Sequence, residues 1–342
     1  MATSYLQALQ TNGFVVIPSL IPPTSPEFTT LLKTATTATT AARTGSWPHF
    51  RTVPKQFPPW PTNVPPPASE GGIWGVQHLL HPDMPGRSEF AKFYFDERVL
   101  GVVEGLLGLS SSNSNSNVKS NDTSTGNGNG NGNGNDSNSI NDAGEEKLVM
   151  ELFNLLIAPE VHDFALRWHR DDIPAEVSPE DEARLLASKS PGGRQSHAQY
   201  NLALCEDRSL IVVPGSHRRV RTETERNADP YESEMPGQLV VELKPGDAVF
   251  YDSNILHRGV YRAKEEGAEE SRLTLHGSVG IKEVGGTAEE KKVRATAVLQ
   301  HGVGAWVQRG DAAFGIGDRA EKMRANLLAM GTGEGVGYSL QG

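Results

Sequence analysis

Short apolar runs separated by turn residues dominate the chain after residue 146. They are KLVMELFNLLIAP (147–159), AQYNLALC (198–205), SLIVVPGS (209–216), GQLVVELKPGDAVFYDS (237–253) and RLTLHGSVG (272–280). Pro, Gly, Asp or Asn bound most of these runs, and such residues interrupt strands and form turns. This pattern predicts a mainly β fold of the sandwich or barrel kind.

Helical patterns flank these strands. Ser25 and Pro26 begin a predicted helix as its cap and its first-turn proline, and a short strand, GFVVIPSL, precedes it. Residues 88–108 place apolar side chains largely on one face and predict one helix that ends at Gly108. Two more helices are predicted at 178–189 and 317–331. The Pro-rich and aromatic segment 45–72 is expected to wrap a surface or line a pocket mouth.

One segment, Ser110 to Glu146, has almost no apolar side chains and consists mainly of Asn, Gly and Ser. Such a composition buries too little surface to offset the entropy of ordering, so we expect a disordered insertion. We expect residues 1–342 to form a single domain around it.

Composition narrows the possible partners. The chain has 32 Lys and Arg against 42 Asp and Glu, for a net charge of −10, and it has no dense basic block, so a nucleic-acid partner is not expected. The single cysteine, Cys205, excludes an internal disulfide framework and fits a reducing compartment. Neither a signal peptide nor a membrane-length apolar run is visible. We expect a cytoplasmic protein that binds a small-molecule substrate, with no membrane and no obligate protein partner.

Candidate chemistry centres on the stretch ALRWHRDDIPAE (165–176). His169 and Asp171 are two residues apart and would share one face of a strand. His257 follows a later β pattern and supplies a third ligand. Two histidines and one carboxylate form the facial triad of non-haem iron(II), which leaves positions open for a co-substrate and O2. The co-substrate 2-oxoglutarate would supply electrons, and its far carboxylate suits an arginine such as Arg272, with Thr274 on the same face.

Spacing alone leaves alternatives open. The three residues could be unrelated polar side chains at strand ends, and a second His-x-Asp, at His81 and Asp83, is expected to be a turn. His162 and His197 are predicted to be surface or loop residues, whereas His276 is expected to be a hydrogen-bonded core histidine.

The ordered set NGFVVIPSL, WHRDD, SLIVVPGSHRR, KPGDAVFYDSNILHRGVYR and RLTLHGSVG resembles the phytanoyl-CoA dioxygenase family of iron(II)/2-oxoglutarate oxygenases. The resemblance runs from about Gly13 to Gly280. It implies a double-stranded β-helix, which is a cupin-like jelly roll, with flanking helices. It also implies that His169, Asp171 and His257 are the iron ligands and catalytic centre, and that Arg272, Thr274 and Asn201 face 2-oxoglutarate. A dioxygenase that hydroxylates or otherwise oxidises a small organic substrate and releases succinate and CO2 is the expected function.

Several points stay open within that resemblance. The loop after His257 is long, so Arg258 or Arg262 could replace Arg272 as the anchor. Scattered basic residues (Arg170, Arg194, Arg218, Arg219 and Arg221) are expected to form a solvated rim. The rival functions are a non-catalytic jelly roll that binds a small molecule, and a zinc-dependent one. The sequence does not identify the substrate.

Overall fold

Two antiparallel sheets form the framework of the protein. The computed structural model describes residues 2–56, 64–109, 146–189, 196–263, 272–282 and 288–331. Within these residues, a seven-stranded sheet has the order β1-β9-β6-β11-β4-β3-β2, and a four-stranded sheet has the order β5-β10-β7-β8.

The bounds of the elements are as follows. The strands are β1 (Phe14–Ile17), β2 (Phe50–Thr52), β3 (Ile73–Val76), β4 (Leu148–Ile157), β5 (Phe164–Ala165), β6 (His197–Ala203), β7 (Leu210–Val212), β8 (Leu239–Val240), β9 (Ala248–Tyr251), β10 (His257–Tyr261) and β11 (Leu273–Ile281). The α-helices are α1 (Ala2–Asn12), α2 (Pro26–Arg43), α3 (Arg87–Tyr94), α4 (Glu97–Leu107), α5 (Pro179–Lys189), α6 (Glu223–Asn227), α7 (Ala288–Gln300) and α8 (Asp318–Met330).

The strands from β4 onward have the connectivity of a double-stranded β-helix. Successive strands β4, β5, β6 and β7 alternate between the large and the small sheet, and β8, β9, β10 and β11 return by the same alternation. The chain thus winds twice around a common axis, as in a jelly roll. The predicted fold class, mainly β with flanking helices, is confirmed.

The main core lies between the large sheet and the helices that cover it. Leu31 of α2, Phe90 of α3 and Leu327 of α8 belong to one buried cluster with Leu273 and Leu275 of β11. A second cluster, including Ala203, Val212 and Val249, lies between the two sheets. Residues of β11 therefore alternate, so Leu273 and Leu275 face the helices while Thr274 and His276 face the interior of the roll.

One predicted helix needs correction, other helices were not predicted, and most of the predicted insertion lies outside the described residues. The single helix predicted over 88–108 is two, because the Asp96 side chain accepts a hydrogen bond from the backbone N–H of Arg98 and caps a new helix, α4. Helices α1 and α7 were not predicted. Of the predicted insertion, residues 110–145 lie outside the described residues, whereas Glu146 accepts a 2.8 Å hydrogen bond from Arg319.

The Pro-rich and aromatic segment 45–72, expected to wrap a surface or line a pocket mouth, also forms part of the large sheet. It contributes β2 and leads into β3, and both strands extend the large sheet beside β4. None of the described helices is long and apolar enough to cross a membrane.

Candidate metal centre and its cleft

The structure brings together the three residues predicted to bind a metal. One nitrogen from each of His169 and His257 and one carboxylate oxygen of Asp171 all lie within 4.8 Å of one another. Nε2 of His169 is 3.4 Å from Oδ1 of Asp171, and Nε2 of His257 is 3.8 Å from the same oxygen. This spacing suits one ion held at about 2 Å from each ligand atom.

Backbone pairing fixes the two histidines side by side. The N–H of His169 donates to the carbonyl of His257 at 3.0 Å, and the N–H of His257 donates to the carbonyl of His169 at 3.0 Å. His257 begins β10, whereas His169 lies beyond the short strand β5 in an isolated bridge. The site is therefore built where two strands of the small sheet meet.

Hydrogen bonds also fix the orientation of both imidazoles. Nδ1 of His169 donates to the carbonyl of Arg167 at 2.7 Å, and Nδ1 of His257 donates to the carbonyl of Ile255 at 2.9 Å. A carbonyl only accepts, so Nδ1 of each ring carries a proton, and Nε2 of each ring faces Asp171. A carbonyl acceptor behind a ligating histidine is the usual support for a metal ligand.

Asp171 is held as a carboxylate. Burial by itself raises its pKa, but the neighbouring His257 and His169 and the hydrogen bond from Gln199 together lower that pKa well below its usual value. Nε2 of Gln199, on β6, donates to Oδ2 of Asp171 at 2.9 Å and leaves Oδ1 facing the imidazoles. Burial lowers the pKa of His257 to about 4, so its ring is neutral and able to bind a metal near neutral pH.

Arg272 lies at one end of the cleft that contains the triad. Its Nε donates to Oδ2 of Asp207 at 3.3 Å, and its guanidinium carbon is 4.2 Å from the ring centroid of Tyr261. Nη1 of Arg272 is buried and has no hydrogen-bond partner among the described residues. An unsatisfied buried guanidinium N–H is costly, so this atom fits a bound carboxylate.

Thr274 lies beside Arg272, but its hydroxyl donates to Asp207 and does not line the cleft. Ser209 also donates to Asp207 through its hydroxyl and its backbone N–H, so this buried carboxylate accepts hydrogen bonds from three residues. Asp207 was not among the predicted site residues, and it orients the Arg272 guanidinium.

The two alternative anchors lie elsewhere. The Arg262 side chain is 82% exposed and pairs with Asp163 at 2.5 Å. Arg258 donates to the carbonyls of Tyr231 and Glu232 and lies 5.7 Å from the ring centroid of Trp168. Among the three candidates, only Arg272 lines the cleft.

Asn201 and His276 line the same cleft on adjacent strands. Nδ1 of His276 lies 2.8 Å from Oδ1 of Asn201. Burial lowers the pKa of His276 to about 3, so the ring is neutral. His276 is thus a hydrogen-bonded histidine, as expected, but its ring borders the cleft and is not enclosed in the apolar core.

Two other sequence-based assignments are corrected. His197 begins β6 and is buried, not in a surface loop.

Arg170 is not part of a solvated rim, because it is 2% exposed. Its guanidinium donates to Glu182 and to the backbone carbonyls of Ser216, Asn254 and Arg219. Glu182, on α5, also pairs with Arg221 and Arg226.

Comparison with known families agrees with this geometry. A family model described as phytanoyl-CoA dioxygenase (PhyH) matches residues 142–260. The family resemblance is confirmed over this stretch. The match includes His169, Asp171 and His257 and ends before Arg272.

Solved structures with a similar fold are distant. AviO1 from Streptomyces viridochromogenes shares 13% identity over 84% of this chain and 98% of its own, with a TM-score of 0.48. EctD from S. alaskensis, solved with 2-oxoglutarate and 5-hydroxyectoine, shares 16% over 82% and 76%, with a TM-score of 0.46. HygX from Streptomyces hygroscopicus, solved with nickel, 2-oxoglutarate and hygromycin B, shares 16% over 81% and 86%, with a TM-score of 0.46. No curated protein matches the chain.

Proposed function

We propose that the protein is an iron(II)- and 2-oxoglutarate-dependent dioxygenase that oxidises a small organic substrate. The clustering of His169, Asp171 and His257 within the stretch that matches the PhyH family carries this proposal. When bound, iron(II) would activate O2, the oxidant, with 2-oxoglutarate as the donor of two electrons; one oxygen atom would go to the substrate C–H bond and the other to succinate, with release of CO2.

The triad residues would hold the iron. The imidazole Nε2 atoms of His169 and His257 and the carboxylate of Asp171 provide the 2-His-1-carboxylate set, which would leave other coordination positions open. Hydrogen bonds from Gln199 to Asp171, and from the two imidazoles to backbone carbonyls, keep these ligands oriented.

Arg272 would bind the far carboxylate of 2-oxoglutarate through its unsatisfied Nη1. Asp207 keeps the guanidinium turned toward the cleft, and Thr274 supports Asp207 from the other side. We propose that Asn201 orients His276 beside the co-substrate. Tyr251, beside His257, and Tyr261, beside Arg272, also line the cleft.

We further propose that residues 1–342 act as one domain in the cytoplasm. The single cysteine, which cannot form an internal disulfide, fits such a reducing compartment.

Anaerobic titration of the metal-free protein with Fe(II) and then 2-oxoglutarate tests the function. We expect the weak visible charge-transfer band of the chelated co-substrate in the wild type. Arg272→Met should require about 10 to 100 times more 2-oxoglutarate for the same band, because a hydrogen bond to a charged group is lost.

Arg262→Met is the matched control, since it removes an arginine of the same region that lies outside the cleft, and it should titrate as the wild type does. A wild type without iron affinity and without the band would favour the non-catalytic jelly roll. Activity with zinc that survives Arg272→Met would favour the zinc-dependent alternative.

A further inference from the structure

A second arginine, Arg51, reaches the cleft from the edge of the large sheet. Thr274 pairs with Leu156, Leu156 with Gly75, and Gly75 with Arg51, so one row of residues crosses β11, β4, β3 and β2. Residues in such a row point to the same face of the sheet, and strands are spaced by about 4.8 Å. Arg51 therefore begins about 14 Å from Thr274 on the face that lines the roll.

Gly75 allows the Arg51 side chain to extend along this row. A Cβ at Gly75 would lie 3.1 Å from Cδ and 3.4 Å from Cγ of Arg51, so the arginine stem occupies the space above the glycine. The guanidinium carbon lies 5.1 Å from the ring centroid of Trp74. The side chain ends in the cleft that also contains His169, Asp171 and His257.

The cleft combines positive charge with apolar walls. Its charged lining consists of three arginines, Arg51, Arg272 and Arg294, and one carboxylate, Asp171. Among the described lining residues Asp171 is the one carboxylate, so arginines outnumber carboxylates in the cleft and favour an anionic substrate. The apolar lining of the cleft includes Trp74, Leu152, Leu156 and Leu166.

We propose that Arg51 binds a carboxylate of the substrate, and that the substrate is an organic acid with an apolar or aromatic body. The apolar body would lie along Trp74 and Leu156, with its reactive carbon toward the triad. That this acid is oxidised rests on the proposed function, whereas its binding to Arg51 does not require the metal.

A matched pair of probes tests the binding step. Saturation-transfer NMR on the metal-free protein would compare 3-phenylpropionate with its neutral amide, 3-phenylpropionamide, for the wild type and Arg51→Met. We expect the wild type to bind the acid at least about five times more tightly than the amide. Arg51→Met should weaken the acid at least about tenfold and leave the amide unchanged.

Arg184→Met, which removes a 76% exposed arginine of α5, should bind both probes as the wild type does. Gly75→Ala keeps the charge of Arg51 but places a methyl group against its stem, and it should weaken the acid selectively. Unfolding midpoints of all variants would identify any that fail to fold, in which case Gly75→Ala serves as the test.

The proposal is overturned if the amide binds as well as the acid, if Arg51→Met retains acid binding, or if no acid binds up to roughly 20 mM. It is also overturned if Arg51→Met weakens 2-oxoglutarate as strongly as Arg272→Met does, because Arg51 would then belong to the co-substrate site. Selective acid binding without the Fe(II)/2-oxoglutarate band would overturn the proposed function and leave the Arg51 site standing.

Discussion

At the scale of single residues, Gln199 controls how Asp171 faces the metal. Its amide holds Oδ2 at 2.9 Å and leaves Oδ1 toward His169 and His257. Gln199→Leu should lower the affinity for Fe(II) or Co(II) about 10 to 100-fold, the usual effect of losing a partner behind a metal ligand. Competitive metal titration against a chromophoric chelator measures this change. Gln7→Leu, at an exposed position of α1, is the control, and equal affinities of the two variants would contradict the role.

The residues of the site differ in how visible they are in the sequence. His169 and Asp171 stand out because a spacing of two residues places both on one face of an extended segment. Gln199 and Asp207 give no such signal, since their partners, Asp171 and Arg272, are distant along the chain. Only the pairing of β6 with its neighbours and the position of the loop before β7 bring these groups together. The roles of Gln199 and Asp207 follow from the register in which the strands pair, and the sequence does not show that register.

At the scale of elements, Arg170 ties α5 to the metal-binding strands. Its guanidinium donates to Glu182 of α5, to the carbonyl of Ser216 in a 3-10 turn, and to the carbonyl of Asn254 just before β10. The hydroxyl of Ser216 in turn accepts from the N–H of Leu256, next to His257. Arg170, which lies between His169 and Asp171 in the sequence, thus supports the segment that carries His257.

Arg170→Met should therefore destabilise the metal-free protein by about 3 kcal/mol, because breaking a buried ion pair leaves buried acceptors without a donor. Urea unfolding measures the change. Arg226→Met removes a more exposed partner of the same Glu182 and should cost about 1 kcal/mol. Equal losses for the two variants would show that Arg170 has no special role in joining these elements.

Local sequence signals predicted which helices and strands form better than they predicted where each one begins and ends. Ser25 and Pro26 located the start of α2, and its cap bond to the N–H of Phe28 is present. The break between α3 and α4 was missed because apolar residues on both sides keep a helical spacing while Asp96 restarts the helix. The short strand β2 was missed because its three residues, Phe50–Thr52, lie among prolines and aromatics. Its partner β3 provides the pairing that local propensity lacks.

At the scale of the whole molecule, buried histidines should make stability depend on pH. Burial lowers the pKa of His78 and His276 to about 3 and that of His257 and His301 to about 4. In the unfolded chain each titrates near 6.5, so below that pH the unfolded state binds more protons than the folded state. The free energy of unfolding should therefore fall as the pH falls from 6.5 toward 4.

For the metal-free protein we expect a loss of at least about 2 kcal/mol between pH 6.5 and 5.5. Urea unfolding at a series of pH values measures it, and His276→Gln should flatten the slope by up to about 1.4 kcal/mol per pH unit. A free energy of unfolding that does not change over this range would contradict the neutral state assigned to these rings.

The reciprocal backbone bonds between His169 and His257 have a consequence for maturation of the protein. They form only when β10, late in the chain, has joined the segment that follows β5. A nascent or partly unfolded chain would hold at most His169 and Asp171 together, so we expect iron to bind only after the roll has closed. Once the roll closes, metal at 100 times its Kd would add about 2.7 kcal/mol in favour of the native state. Metal binding therefore stabilises only the completely folded protein.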